Sequence, residues 1–123
     1  MYWITKNLGT ASFPELDDVK KLENVEVELV TDLTDGIQEN NGQFESKVDN
    51  VEKLIRKGKK VVVICALGMS RSNSVALAYL VKNGLDFYEA YDLIRTKVPI
   101  AHIDMDLFDF VRSKYAKKSK ITK

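Results

Sequence analysis

Cys65, Gly68, Arg71 and Ser72 stand in the stretch CALGMSRS, directly after the apolar run VVVI and directly before a helix-forming segment. A cysteine sulfur reacts as the thiolate, and a free thiol with a pKa of about 8.5 is mostly protonated at neutral pH. A turn from strand to helix turns successive backbone N–H groups toward one point, and the helix N-terminus adds positive potential there. The same loop can therefore hold the oxygens of a phosphate and lower the pKa of a thiol placed beneath it. Gly68 lets such a loop bend with no Cβ in the way. Arg71 offers a planar fork of donors that stays charged and fits two phosphate oxygens at once. The chemistry within reach is attack of sulfur on phosphorus, over a cradle made by Ala66, Leu67, Gly68, Met69, Ser70 and Arg71. Without these neighbours, a cysteine ending a strand is a small buried hydrophobe, and Ser72 is a helix cap.

The elements that must carry this loop can be read from periodicity. The run VVVIC is apolar and β-branched without alternation, the pattern of a strand buried on both faces of a mostly parallel sheet. From Arg71 to about Asn83-Gly84 the chain is helix-like and ends on a stop pair. Upstream, Val25, Val27 and Leu29 alternate with glutamates as in a half-buried strand. Val48, Val51, Leu54 and Ile55 mark a helix over about 46–57, closed by Gly58. Tyr2, Trp3 and Ile4 suit an edge strand, Gly9-Thr10-Ala11-Ser12 reads as a loop, and a short helix is expected over about 14–22, with Pro14 in its first turn. TDGIQENNGQ reads as a polar loop. Downstream, Asp86 and Glu89 have capping-box spacing before a helix ended by Pro99. Asp104 is placed to cap a last helix with Leu107, Phe108, Val111 and Tyr115 on its inner face. The expectation is one α/β domain over 1–123, a central mostly parallel sheet flanked by helices, with a loose basic tail from about 116.

At 123 residues the chain has room for one core. Nineteen basic residues against eighteen acidic ones leave a net charge of +1, so no global field attracts nucleic acid or a membrane. One cysteine makes no internal disulfide, no apolar run approaches a membrane span, and the first residues lack a signal-peptide pattern. A cytoplasmic location is expected, with no nucleic-acid or membrane partner and a monomeric state.

The loop Cys-x5-Arg-Ser resembles the phosphate loop of the cysteine-based protein tyrosine phosphatases, and CALGMSRS is most similar to the dual-specificity branch. Low-molecular-weight phosphatases, rhodaneses and arsenate reductases carry similar loops. In the first of these, however, the loop lies at the extreme N-terminus, whereas sixty-four residues precede Cys65 here. The dual-specificity family has an acid about thirty residues upstream and an aromatic at the start of the helix before the cysteine strand. Asp35 lies thirty positions before Cys65, and Phe44 follows it by nine. Downstream, AYLVKNGLDFYEAYDLIRTKVPIAHIDMDLFDFV is similar to the family's remaining helices and its Pro-Ile corner.

The resemblance implies that Cys65 is the nucleophile and Arg71 the phosphate clamp. It also implies that Asp35 is the general acid and then base, and that Ser72 stabilises the thiolate when a cysteinyl-phosphate breaks down. Asp32 is the competing acid, and the Phe44 register favours Asp35. Neither metal nor cofactor is implied. The expected substrate is a phosphorylated protein or peptide bearing phosphotyrosine, or also phosphoserine and phosphothreonine, because no lysine stands among the variable loop positions. Two positions depart from the family. Ile64 stands where a histidine usually orders the loop and holds down the thiol pKa, and His102-Ile103 stands where Pro-Asn often braces it. These departures keep open a non-catalytic phosphate-binding module; an RNA 5′-triphosphatase or other phosphomonoesterase is the third reading. His102 itself is either a solvent-facing loop residue or a partial replacement for the missing support.

Overall fold

The computed structural model describes residues 1–30 and 42–116. Four strands form one sheet in the order β1-β2-β4-β3: β1 (Tyr2–Trp3), β2 (Leu8–Ser12), β3 (Val25–Leu29) and β4 (Lys60–Cys65). β1 lies antiparallel on the edge, whereas β2 and β3 flank β4 in parallel. Helices α2 (Gln43–Arg56), α3 (Arg71–Lys82), α4 (Phe87–Lys97) and α5 (Met105–Tyr115) carry most of the helical content, and α1 is the short Leu16–Lys20. Among the described residues no helix is long and apolar enough to cross a membrane.

Central β4 explains why its sequence does not alternate. Successive strand side chains point to opposite faces, and here both faces are dry. Val61, Val63 and Cys65 join the larger core with Phe44, Val48, Leu77, Ile94 and Val111, while Val62 and Ile64 join a smaller core with Ala11 and Val19. Ile64, fully buried, therefore packs on the face away from Cys65. The strand ends its apolar run at the thiol, so the chain leaves the sheet at the residue with the chemistry.

Several expected elements are found where the periodicity put them, with shifted ends. The helix expected from about Ser46 begins at Gln43, after Gly42 at a φ of 85°. Phe44 thus stands in its first turn, fully buried and edge-on to Phe110 at a centroid distance of 5.2 Å. The 14–22 helix is a 3-10 turn, Phe13–Glu15, followed by α1. Asp86 caps α4, its carboxylate accepting from the amides of Tyr88 and Glu89.

Gly9-Thr10-Ala11-Ser12 is a correction: these residues are strand, not loop. They pair from Gly9↔Val62 to Ser12↔Cys65 beside β4. Gly and Ser favour turns locally, but pairing on both sides overrides that preference. A Cβ at Gly9 would lie 2.9 Å from the Tyr2 carbonyl oxygen and 3.0 Å from the Trp3 ring, so only glycine admits the edge strand this closely. Asp32, Asp35, most of the TDGIQENNGQ stretch and residues 117–123 of the basic tail lie outside the described residues.

Candidate active site

The loop between β4 and α3 is built against the end of β2. Gly68 adopts a φ of 72°, and a Cβ there would come within 3.1 Å of the Ser12 nitrogen and 3.2 Å of the Ala11 carbonyl carbon. Glycine meets both demands at once, a left-handed conformation and contact with backbone. The amide of Phe13 also donates to the Ala66 carbonyl at 3.3 Å, tying the start of the loop to the same strand end.

Cys65 is only 3% exposed, yet its sulfur forms the floor of an open pocket of about 210 Å³ lined by Leu67, Met69, Ser70, Arg71, His102 and Asp104. Its Sγ lies 3.3 Å from the hydroxyl oxygen of Ser72, a fully buried residue. In the thiol the S–H donates to that oxygen; in the thiolate the hydroxyl proton turns toward sulfur. Burial pushes the Cys65 thiol up. Hydrogen bonds from the Ser72 hydroxyl and from the backbone amides of Ser72, Gly68 and Met69 outweigh burial and hold the pKa below the ordinary thiol value.

Ser72 is not the cap of α3. That position belongs to Ser70, whose hydroxyl makes no cap hydrogen bond and instead accepts from the Asp104 amide at 3.0 Å. Asp104 occupies the N-cap position of α5 as expected, but its side chain makes no cap hydrogen bond, and the residue lines the pocket. His102 donates its main-chain N–H to the Met69 carbonyl at 2.9 Å while its side chain lines the pocket. Support from this corner is thus delivered by backbone, through a donor that proline would lack.

One polar side chain in the site has no counterpart in the sequence reading. Asn73, fully buried in the first turn of α3, donates its side-chain amide to the carbonyls of Gly68 at 3.1 Å and Met69 at 3.0 Å. The signal was there to be used: Ser72, Asn73 and Ser74 are three successive polar residues just before the mostly apolar run VALAYLV of the same helix. Such residues need internal partners if the helix is buried. The structure brings Cys65, Leu67, Met69, Ser70 and Arg71 to one pocket and puts Gly68 and Ser72 in hydrogen-bond contact with the sulfur, while Ala66 and Leu67 are exposed.

A buried thiol at the end of a parallel strand, under backbone amides and beside an arginine at a helix start, is the arrangement expected of the cysteine-based protein tyrosine phosphatases. Residues 5–116 match the family model of the dual specificity phosphatase catalytic domain. The chain belongs to the dual specificity phosphatase family. It is similar to dual specificity protein phosphatase 1 of Arabidopsis thaliana, 36% identical over 59 residues, covering 47% of this chain and 30% of the relative. It is also similar to human dual specificity protein phosphatase 14, 28% identical over 81 residues, covering 62% of this chain and 41% of the relative. These matches span less than half the length of either relative. Among solved structures, human DUSP28 superposes with a TM-score of 0.77 at 19% identity over the full length of both chains.

Proposed function

We propose that the chain is a cysteine-dependent phosphatase acting on phosphoproteins, with Cys65 as nucleophile. The observation that carries this reading is the Cys65 sulfur, held under three backbone amides and the Ser72 hydroxyl at the floor of a pocket edged by Arg71. In the proposed sequence the thiolate attacks phosphorus, an S–P bond forms, and the P–O bond to the substrate breaks. Asp35 gives its proton to the departing oxygen. Water then attacks the cysteinyl-phosphate, Asp35 takes a proton from it, and the S–P bond breaks to release phosphate. Arg71 and the loop amides bind the equatorial oxygens, where charge accumulates in both transition states. Ser72 stabilises the thiolate as it leaves.

The pocket is small and open, and among the described residues its wall carries His102 and Asp104 and no phenylalanine, tyrosine or tryptophan ring. A shallow site of this kind supports phosphotyrosine together with phosphoserine and phosphothreonine as substrates. A thiolate nucleophile must stay reduced, which suits a cytoplasmic enzyme.

Hydrolysis of a small aryl phosphate tests the proposal. Wild type is expected to turn over; Cys65→Ser should abolish activity, and Asp35→Asn should lower it by about 10²- to 10⁴-fold. Wild type that binds vanadate without turnover would establish the non-catalytic phosphate-binding module instead. Ile64, which puts an aliphatic side chain on the far face of the sheet, is the observation favouring that second reading.

A further inference from the structure

Neither Ile64 nor Ile103 has a side-chain polar atom with which to hold the loop. The loop nevertheless presents its amides to the Cys65 sulfur, so something else must fix the orientation of its peptide units. In a trans peptide the carbonyl and the following N–H point in opposite directions. The Gly68 carbonyl is drawn back by the Asn73 side chain at 3.1 Å, and the N–H of the same peptide unit, that of Met69, is one of the donors to sulfur. The Met69 carbonyl is drawn back twice, by Asn73 at 3.0 Å and by the His102 amide at 2.9 Å, which turns the Ser70 N–H to the opposite side. Asn73 is fully buried, so water does not compete for its donors.

We propose that Asn73 is the positioning residue of the phosphate loop, locking the Gly68–Met69 and Met69–Ser70 peptide units so that their N–H groups face the sulfur and the bound anion. The proposal rests on the reading of Cys65 as the reactive thiol, but not on turnover. Loss of Asn73 frees the Gly68 carbonyl to rotate, because His102 holds only the Met69 carbonyl. Rotation of that unit would aim a carbonyl oxygen where an N–H had been, and a carbonyl repels both a thiolate and a phosphate oxygen. Among the described residues the titratable groups around the sulfur are Arg71 on α3 and His102 and Asp104 before α5, and substitution at 73 leaves all three in the chain.

The test is the pH dependence of Cys65 alkylation by iodoacetamide, with orthovanadate affinity measured on the same samples; neither requires catalysis. Asn73→Leu keeps the branched four-atom side chain and removes the donors, and Asn73→Ala serves if the bulkier leucine does not fit. Val75→Ala, a fully buried change in the same helix, supplies matched destabilisation without touching the loop. The expected result for the Asn73 variants is an alkylation midpoint shifted up by about one pH unit or more and vanadate binding weakened by about tenfold, the amount expected for losing hydrogen bonds to a charged group. Val75→Ala should leave both unchanged. A folded Asn73 variant with wild-type midpoint and affinity would overturn the proposal, as would equal shifts in Val75→Ala. If wild type fails to hydrolyse aryl phosphates but the Asn73 shifts appear, the proposed function falls and this inference stands.

Discussion

The Cys65 sulfur and the Ser72 hydroxyl oxygen lie 3.3 Å apart, seven residues apart in sequence and both shielded from solvent. In the resting protein this contact holds the thiol pKa down against the upward push of burial. In the proposed mechanism, once sulfur is phosphorylated, the same hydroxyl would donate to the sulfur as negative charge returns to it. Ser72→Ala should therefore act twice. The acid limb of kcat/KM should move to higher pH, because a thiolate with fewer donors forms later. A hydrogen bond to a charged group contributes about 1.5 to 3 kcal/mol, so breakdown of the intermediate should slow by roughly 10- to 100-fold. Rapid mixing with an aryl phosphate should then show a burst of phenol equal to the enzyme concentration. Steady turnover at the wild-type rate with no burst would mean that the contact is structural only.

Gly68 faces two constraints, and they can be separated by experiment. Its φ of 72° disfavours any side chain, and the backbone of Ala11 and Ser12 occupies the place of a Cβ. Gly58, with a φ of 88°, has the first constraint and not the second, since nothing lies within 4 Å of its would-be Cβ. Left-handed strain costs about 1 to 2 kcal/mol, so Gly68→Ala and Gly58→Ala should each lower the melting temperature by roughly 4 to 8 °C. Only Gly68→Ala should also displace the loop from β2 and cost about 10²-fold in kcat/KM, the scale of an ångström-sized misplacement. Equal activity in the two variants would show that the loop does not depend on its contact with the strand.

The parts of the molecule legible in its sequence were those written in short-range pattern. The β4 run, the Asp86 cap and the spacing from Cys65 to Ser72 are local, and each element is found where its pattern placed it. Strand β2 was missed because Gly9-Thr10-Ala11-Ser12 has turn-forming composition, and its strand character comes from partners at Tyr2–Trp3 and Val61–Cys65. The role of Asn73 was missed for a related reason. A polar residue in a first helical turn ordinarily faces solvent, and only the packing of α3 against the sheet puts this one under the loop. Asp104 stands at the N-cap of α5, as its type and position indicated, but its side chain makes no cap hydrogen bond and the residue also lines the pocket, which no local pattern shows.

Far from the site, Glu52 of α2 joins two helices through its carboxylate, 2.8 Å from Lys82 of α3 and 3.0 Å from Arg56 of its own helix. Lys82 also reaches Asp49 at 2.7 Å. The Lys82 ammonium, with lesser help from Arg56, holds the Glu52 carboxyl below its usual range despite burial, and Asp49 and Glu52 together raise Lys82. A depressed carboxyl pKa contributes stability that is fully present above the unfolded value of about 4.3 and is lost as pH falls through the folded value. A raised lysine pKa contributes stability that is present below about 10.4 and is lost as pH rises through the folded value. The network should therefore act fully between those limits. The Glu52 side chain is 11% exposed but its Arg56 partner 73%, so solvent screens one arm of the pair and not the other. Glu52→Gln should destabilise by about 1 to 2 kcal/mol at pH 7, between the values for exposed and buried pairs. Urea unfolding at pH 7 and again near pH 3 measures it: the gap between wild type and variant should narrow at the lower pH, and aryl phosphatase activity at pH 7 should be unchanged. A gap of the same size at both pH values would assign the effect to packing rather than charge.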